Sequence, residues 1–339
     1  MYSESNLINW FKRNWSVRSL FRTAVVLVVL IVIHALLLRF NNNINSIAGW
    51  FHIWLDLLNE YAGIGIVALG MTYVIICGGI DLSVGAMAAA VSAVAVMFAD
   101  AGPSGIMQTA GIHGIPAYAA SICGSIVFGA VLGHITGFLI SRGNIPPLIV
   151  TLGTMMLYRS LTQHLMASNN PVIPWGFRQL TLFKVSGSVF LPILYWLVLA
   201  ISLHIILNGT VFGKYVTAVG SDEKAAWLAG INIGQVKRRV YMLAGMTTAV
   251  TAILQVTAAG APNYAVAGSG YAMDAITACL LGGARLGGGR GFIAGTVMGT
   301  MIIAILNNIP GLTDISPYIR EACKGVVIIG AVLLQRKDN

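Results

Sequence analysis

Apolar stretches long enough to cross a bilayer recur along almost the whole chain, at about residues 23–40, 60–79, 83–99, 117–140, 146–166, 190–208, 239–259, 272–284, 291–309 and 317–335. A helix needs about 20 mainly apolar residues to cross the hydrocarbon core. In lipid the backbone polar groups of such a run must be satisfied within it, and a helix does this. The pattern predicts an all-α polytopic membrane protein of about ten transmembrane helices. Charged residues make up only 9% of the chain and mean hydropathy is +0.82, which excludes a soluble globular domain. The windows 83–99 and 272–284 are short, and broken or re-entrant helices are expected near 78–85 and 272–290, where protein must bury the freed backbone groups.

Short cytoplasmic loops are enriched in Lys and Arg. An inside N-terminus and ten spans place fourteen of the 20 Lys and Arg residues on the inner side, among them Lys12, Arg13, Arg142, Lys214, Lys237, Arg238, Arg239, Arg285, Arg290 and Lys337. Arg39, Arg178 and Lys184 fall outside, and Arg159, Arg320 and Lys324 lie in or beside spans. Both termini are therefore expected in the cytoplasm. The organisation read from this is a cytoplasmic segment 1–22, one transmembrane domain 23–335 carrying an inner loop 212–240, and a cytoplasmic tail 336–339. The net charge of +9 is dispersed over loops, so it is a topology signal and no nucleic-acid footprint.

Several chemistries are excluded. The six His residues show no i, i+4 pairing, so no metal site is expected. Gly287-Gly288-Gly289-Arg290-Gly291 lacks the Lys-Ser/Thr of a phosphate loop and reads as a tight turn. No hydrolase motif is present. Cys77, Cys123, Cys279 and Cys323 stand singly in apolar surroundings and are expected to be small buried thiols. Faces built from Ala86, Ala89, Ala90 and Ala93, or from Gly291, Gly295 and Gly299, predict close helix packing. The run Cys77-Gly78-Gly79-Ile80-Asp81-Leu82 echoes Leu281-Gly282-Gly283-Ala284-Arg285-Leu286, either as an internal repeat or as one helix stop used twice.

Acids close to spans are Asp81, Asp274 and Glu321. An ionisable group at membrane depth often has a function, but Asp81-Leu82-Ser83 also places an acceptor where a helix starts, as a cap does. Glu321 and Lys324 are spaced for a structural pair. The largest polar feature is Phe212 to Val240, FGKYVTAVGSDEKAAWLAGINIGQVKRRV. Within it Ser221-Asp222-Glu223 and Gly230 bound a short helix with an acidic start and a glycine stop. Its Ala225, Ala226, Leu228 and Ala229 form a small apolar surface that suits a groove in a partner protein, or the membrane interface with Trp227 as anchor.

Four segments together, GGIDLSVG (Gly78 to Gly85), NIPPLIVTLGTMMLYRSLT (Asn144 to Thr162), FGKYVTAVGSDEKAAWLAGINIGQVKRRVY (Phe212 to Tyr241) and LLGGARLGGGRGFIAGTVMGTMIIAILNN (Leu280 to Asn308), resemble the membrane permease of ribose-type ABC sugar importers. The resemblance extends over about residues 55–335. It implies a multi-pass subunit of the bacterial cytoplasmic membrane, paired with a second permease (a like copy or a sister chain), with cytoplasmic ATPase subunits and with a periplasmic sugar-binding protein. ATP and Mg would sit on the ATPase, and no cofactor on this chain. Asp222, Glu223, Ala225, Ala226, Gly230 and Ile231 would form the segment seated in the ATPase. Gly79, Asp81, Ser83, Gly85 and Asn144 match family motifs, and Thr72, Ser83, Thr154, Asn307 and Asn308 are candidates to line the path. Phe292, the surroundings of Trp227 and the long insert from Asp100 to Pro116 depart from the family pattern and bear on partner choice. The implied mechanism is alternating access. An ion-coupled secondary transporter, with Asp81 or Asp274 as its ion site, is the alternative.

Overall fold

The computed structural model describes residues 15–41, 46–103, 105–166, 171–185, 188–260 and 266–312, with 322 and 325–326. Helices dominate: α1 (Trp15–Asn41), α2 (Ile47–Ile76), α3 (Val84–Ala99), α4 (Ile106–Thr109), α5 (Ile115–Gly143), α6 (Pro147–Met166), α7 (Trp175–Leu182), α8 (Leu191–Gly209), α9 (Val211–Ser221), α10 (Glu223–Leu228), α11 (Ile233–Ala259), α12 (Tyr271–Leu281) and α13 (Ile293–Leu312). The all-α class holds, and a pair of two-residue antiparallel strands, β1 (Lys184–Val185) and β2 (Ser188–Val189), lies between α7 and α8. Every apolar window up to 291–309 coincides with a helix; the window 317–335, with Glu321, Lys324 and Cys323, falls almost wholly outside the described residues. Among the described residues five helices are long and apolar enough to cross a membrane, namely Ser19–Phe40, Ala48–Ile76, Ile115–Gly143, Leu191–Gly209 and Ile233–Ala259, and Val84–Ala99, Tyr271–Leu281 and Ile293–Ile309 are shorter apolar helices.

The centre of the molecule is the antiparallel pair α2 and α11. The apolar window of α2 is 83% buried and that of α1 only 17%. Val28, Val29 and Val32 of α1 instead point outward, as lipid-facing side chains do. Between helices in lipid, hydrophobic burial drives little, and close backbone approach through small residues takes its place. Gly70 of α2 shows this: a Cβ there would lie 2.2 Å from Thr247 Oγ1 and 2.9 Å from Ala244 Cα. The closest seam joins α5 to α11. A Cβ at Gly245 would meet Gly129 O at 2.0 Å, one at Gly133 would meet Tyr241 O at 2.2 Å, and one at Gly137 would meet Arg238 Cα at 2.9 Å. Ser121, Ser125, Gly129, Gly133 and Gly137 form one buried stripe at four-residue spacing. Cys123 lies on the opposite face of α5, so it is exposed, against the expectation of a buried thiol; Cys77 and Cys279 are buried as expected. Gly295 and Gly299 seat α13 on α12 in the same way, within 2.0 Å of Gly282 O and 1.9 Å of Ala278 O for an added Cβ.

Helix ends follow from local chemistry. Ser46 caps α2 by accepting the Gly49 N–H at 3.0 Å. At its other end Gly78 takes φ +84°, and the Gly78 and Gly79 amides donate to Ile75 O and Val74 O. That is a Schellman closure, which needs a residue comfortable in the left-handed region. α12 closes identically, with Gly283 at φ +88° and Gly283 and Ala284 donating to Leu280 O and Cys279 O. Since α10 ends by the same bonds at Gly230, the echoed glycines carry helix-stop chemistry.

α12 is a half-length helix. Its Tyr271 stands beside Gly63 in the middle of α2, while Cys279 Sγ donates to Ala68 O further along α2. The chain before it, 266–270, is irregular and folded against the start of α3: an added Cβ at Gly268 would meet Gly85 O at 2.1 Å, and the Arg159 guanidinium donates to Ala267 O at 2.8 Å. Non-helical backbone inside the bundle is thus packed against protein, as a re-entrant element requires.

Candidate functional site

The C-terminal ends of α2, α5 and α12 and the start of α11 lie at one end of the molecule, together with α9 and α10. Thr210 opens α9, its Oγ1 accepting the Gly213 N–H at 3.3 Å. Asp222 then ends α9 and starts α10 at once: its own amide donates to Ala218 O, and its Oδ1 accepts the Ala225 N–H at 3.0 Å. Glu223 sits in the first turn, where the helix dipole favours an acid, and pairs with Lys237 of α11. Gly230 at φ +81° closes the helix, with its amide bonded to Trp227 O and that of Ile231 to Ala226 O. Ala226 is buried beneath the helix, so it is not part of the expected outward apolar surface. Ala225, Leu228 and Ala229 are exposed as expected, and Trp227 joins them; Trp227 and Leu228 are 66% and 71% exposed. A six-residue helix fixed at both ends therefore presents two large apolar side chains away from the body. The residues singled out in sequence, Asp222, Glu223, Ala225, Ala226, Gly230 and Ile231, converge here as caps, tie and floor, with Ala225 exposed on the helix itself. Beside α9 lies an open cavity of about 360 Å³ lined by Leu207, Asn208, Thr217, Arg290 and Phe292 and by the glycines flanking Arg290.

The interior candidates are scattered rather than gathered. Asp81 is fully buried in the turn between α2 and α3, its Oδ1 accepting the Ser83 N–H at 2.8 Å and the Ser83 hydroxyl at 2.6 Å. The cap of α3 is Ser83, so Asp81 acts two residues earlier, as an Asx turn leading into the helix. Gly79 leaves room for Tyr241, whose Oη would lie 2.5 Å from a Cβ there. Gly85 meets Gly268, as described. Asn144 ends α5 in the left-handed conformation, φ 50°, at the end of the molecule that carries α10. The Thr154 hydroxyl is buried and donates to Thr151 O within its own helix. Thr72 joins three helices through Ala68 O, Thr296 Oγ1 and Cys279 Sγ. Asn308 Oδ1 faces His34 Nε2 at 3.0 Å, a bond between α13 and α1. Asn307 is buried with its Oδ1 unpartnered. Asp274 lies buried in the first turn of α12. Among the described residues no three His, Cys, Asp or Glu side chains are grouped to hold a metal ion.

Sequence reasoning missed the Ser-Ser-Gly-Gly-Gly stripe of α5, although its four-residue period is visible from 121 to 137, and it missed Gly220. Comparison with known proteins fits this architecture. The family model described as branched-chain amino acid transport system, permease component, matches residues 53–332. The ribose import permease protein RbsC of Escherichia coli strain K12 is 33% identical over 320 residues, covering 92% of this chain and 93% of its own length. That of Bacillus subtilis strain 168 is 39% identical over 289 residues, 84% of this chain and 85% of its own. The fructose import permease protein FrcC of Rhizobium meliloti is 32% identical over 291 residues, 83% of this chain and 76% of its own. No solved structure matches the chain. With the family model spanning most of the bundle and such relatives matching nearly end to end, the chain belongs to this family of ABC transport permease components and is a multi-pass membrane permease of the ribose type.

Proposed function

We propose that the chain is the membrane-spanning subunit of an ATP-driven, binding-protein-dependent importer of a neutral sugar of the pentose or hexose class. The observation that carries this is α10, capped by Asp222 and Gly230 and offering exposed Trp227 and Leu228 to a partner. Large apolar side chains on a small rigid helix suit a hydrophobic groove in a soluble subunit. Relatives named for import of ribose, galactose, fructose and allose support the substrate class, as does the poverty of charge in the interior. The α10 end also carries Arg142, Lys214, Lys224, Lys237, Arg238, Arg239, Arg285 and Arg290, which by the positive-inside rule faces the cytoplasm of a bacterium. ATP and Mg belong to the partner ATPase, which drives alternating access in a pair of permeases, like copies or sister chains. A periplasmic sugar-binding protein would deliver the solute to the opposite end, where Asp100 accepts the Gly102 and Val172 amides and so ties the start of the insert to the connection before α7.

The test is purification through this chain, followed by measurement of ATP hydrolysis for the wild type and for Gly230→Asp. The expected result is an ATPase that co-purifies with the wild type and is lost or uncoupled in the variant. A wild-type chain that purifies alone and moves sugar on a proton or sodium gradient would mean an ion-coupled secondary transporter.

A further inference from the structure

We propose that Gly220 is the transmission joint of the permease, a bare backbone contact that passes displacement of α10 to the end of α2 and to the turn between α12 and α13 together. The inference rests on the reading of α10 as the ATPase-binding element. Asp222 belongs to both α9 and α10, so α10 cannot shift without carrying the last turn of α9 with it. That last turn contains Gly220. A Cβ at 220 would lie 1.7 Å from Ile76 O and 2.7 Å from the Gly289 nitrogen. From the other side, an added Cβ at Gly288 would lie 2.5 Å from Gly220 O and 3.0 Å from Gly78 Cα, and one at Gly289 would be 2.5 Å from Ser221 Oγ. Two of the three segments, the turn and the end of α2, are also joined by a bond between residues far apart in sequence, the Gly289 N–H donating to Ile76 O at 2.8 Å.

Backbone against backbone leaves no side chain whose rotamers could absorb a push. A small shift at such a contact therefore moves whole elements. The elements concerned are the right ones. α2 is the most buried of the membrane-spanning helices, and the turn 282–292 joins half-helix α12 to α13, both of which pack on α2. The second tie of α10, from Glu223 to Lys237, runs between long flexible side chains with Glu223 half exposed, and water competes for it. It orients α10, while the Gly220 contact carries the load.

The experiment uses the assembled complex in vesicles and reads sugar moved per ATP hydrolysed. Gly220→Ala is expected to keep the ATPase bound and hydrolysing ATP within about twofold of wild type, while sugar moved per ATP falls roughly tenfold or more. Gly213→Ala is the matched control. It lies in the same helix as Gly220, but the three atoms nearest its Cβ all belong to Leu207 of α8, with the carbonyl oxygen at 1.9 Å, rather than to α2 or the turn, so it should cost stability and leave the ratio unchanged. A wild-type ratio in Gly220→Ala, or an equal fall in both variants, would overturn the proposal. Hydrogen exchange of the Gly289 amide in the wild-type complex tests it without any variant. A joint that moves as a unit keeps that amide protected in resting and ATP-trapped states, and loss of protection in either would also overturn it. A wild-type chain that brings down no ATPase overturns the parent reading and this one with it.

Discussion

Single residues in this permease work mainly by completing backbone geometry. Asp81 is the sharpest case, because a buried acid near a helix break invites a proton- or ion-coupling role. Its Oδ1 instead serves the Ser83 amide and hydroxyl, and an asparagine oxygen can accept both bonds. Asp81→Asn is therefore expected to keep sugar uptake within about twofold of wild type, while Asp81→Leu, which strands two buried donors, should lower stability by about 1–3 kcal/mol in thermal unfolding. Abolished uptake with unchanged stability in Asp81→Asn would favour ion coupling. At α10, Asp222→Ala removes a cap worth about 1 kcal/mol, and Gly230→Ala forces a Cβ into the left-handed region at roughly 1–2 kcal/mol. Both should weaken ATPase binding more than they lower the melting temperature of the bundle, since α10 adds little to its core; binding measured by co-purification checks this. The caps of α10 were legible in the sequence because capping is local. The partner of Asn308 was not, because His34 lies 274 residues away and nothing local marks the pair.

Elements are held by seams of small residues, most clearly α5 against α11. Gly133→Leu must displace the Tyr241 carbonyl, and overpacking of this kind costs about 1–3 kcal/mol. The expected outcome is a lower unfolding temperature in detergent, whereas Gly153→Leu on α6, where an added Cβ meets nothing within 4 Å, should leave it unchanged. Equal shifts for the two would mean that the seam does not hold the bundle. Apolar windows located the helices well, since length and hydropathy are sufficient for that. They could not show which face of a helix is buried. Cys123 was misplaced for that reason: α5 is apolar on its lipid face as well, and only the small-residue period distinguishes the face turned inward. The short window at 272–284 did announce a short helix, and α12 has 11 residues.

At the scale of the whole molecule, the described residues form two differently built ends and a closely packed body between them. One end gathers α9, α10 and the glycine turns; the other holds the insert, its start tied by Asp100. In the interior some polar groups bond neighbouring helices, as Thr72 and Asn308 do, and others bond carbonyls of their own helix, as Thr154 and Thr162 do. The sequence reveals α10 because its caps and charges are contiguous, and hides the bonds of Thr72 and Asn308 because their partners come from distant segments. The measurement that decides most is sugar uptake into vesicles holding the purified complex, with ATP on the α10 side and the binding protein on the other, set against vesicles given only a proton or sodium gradient. The expected result is accumulation that requires ATP, is abolished by Gly230→Asp and is indifferent to the gradients. Accumulation by the permease chain alone on an ion gradient, without ATP, would contradict the account.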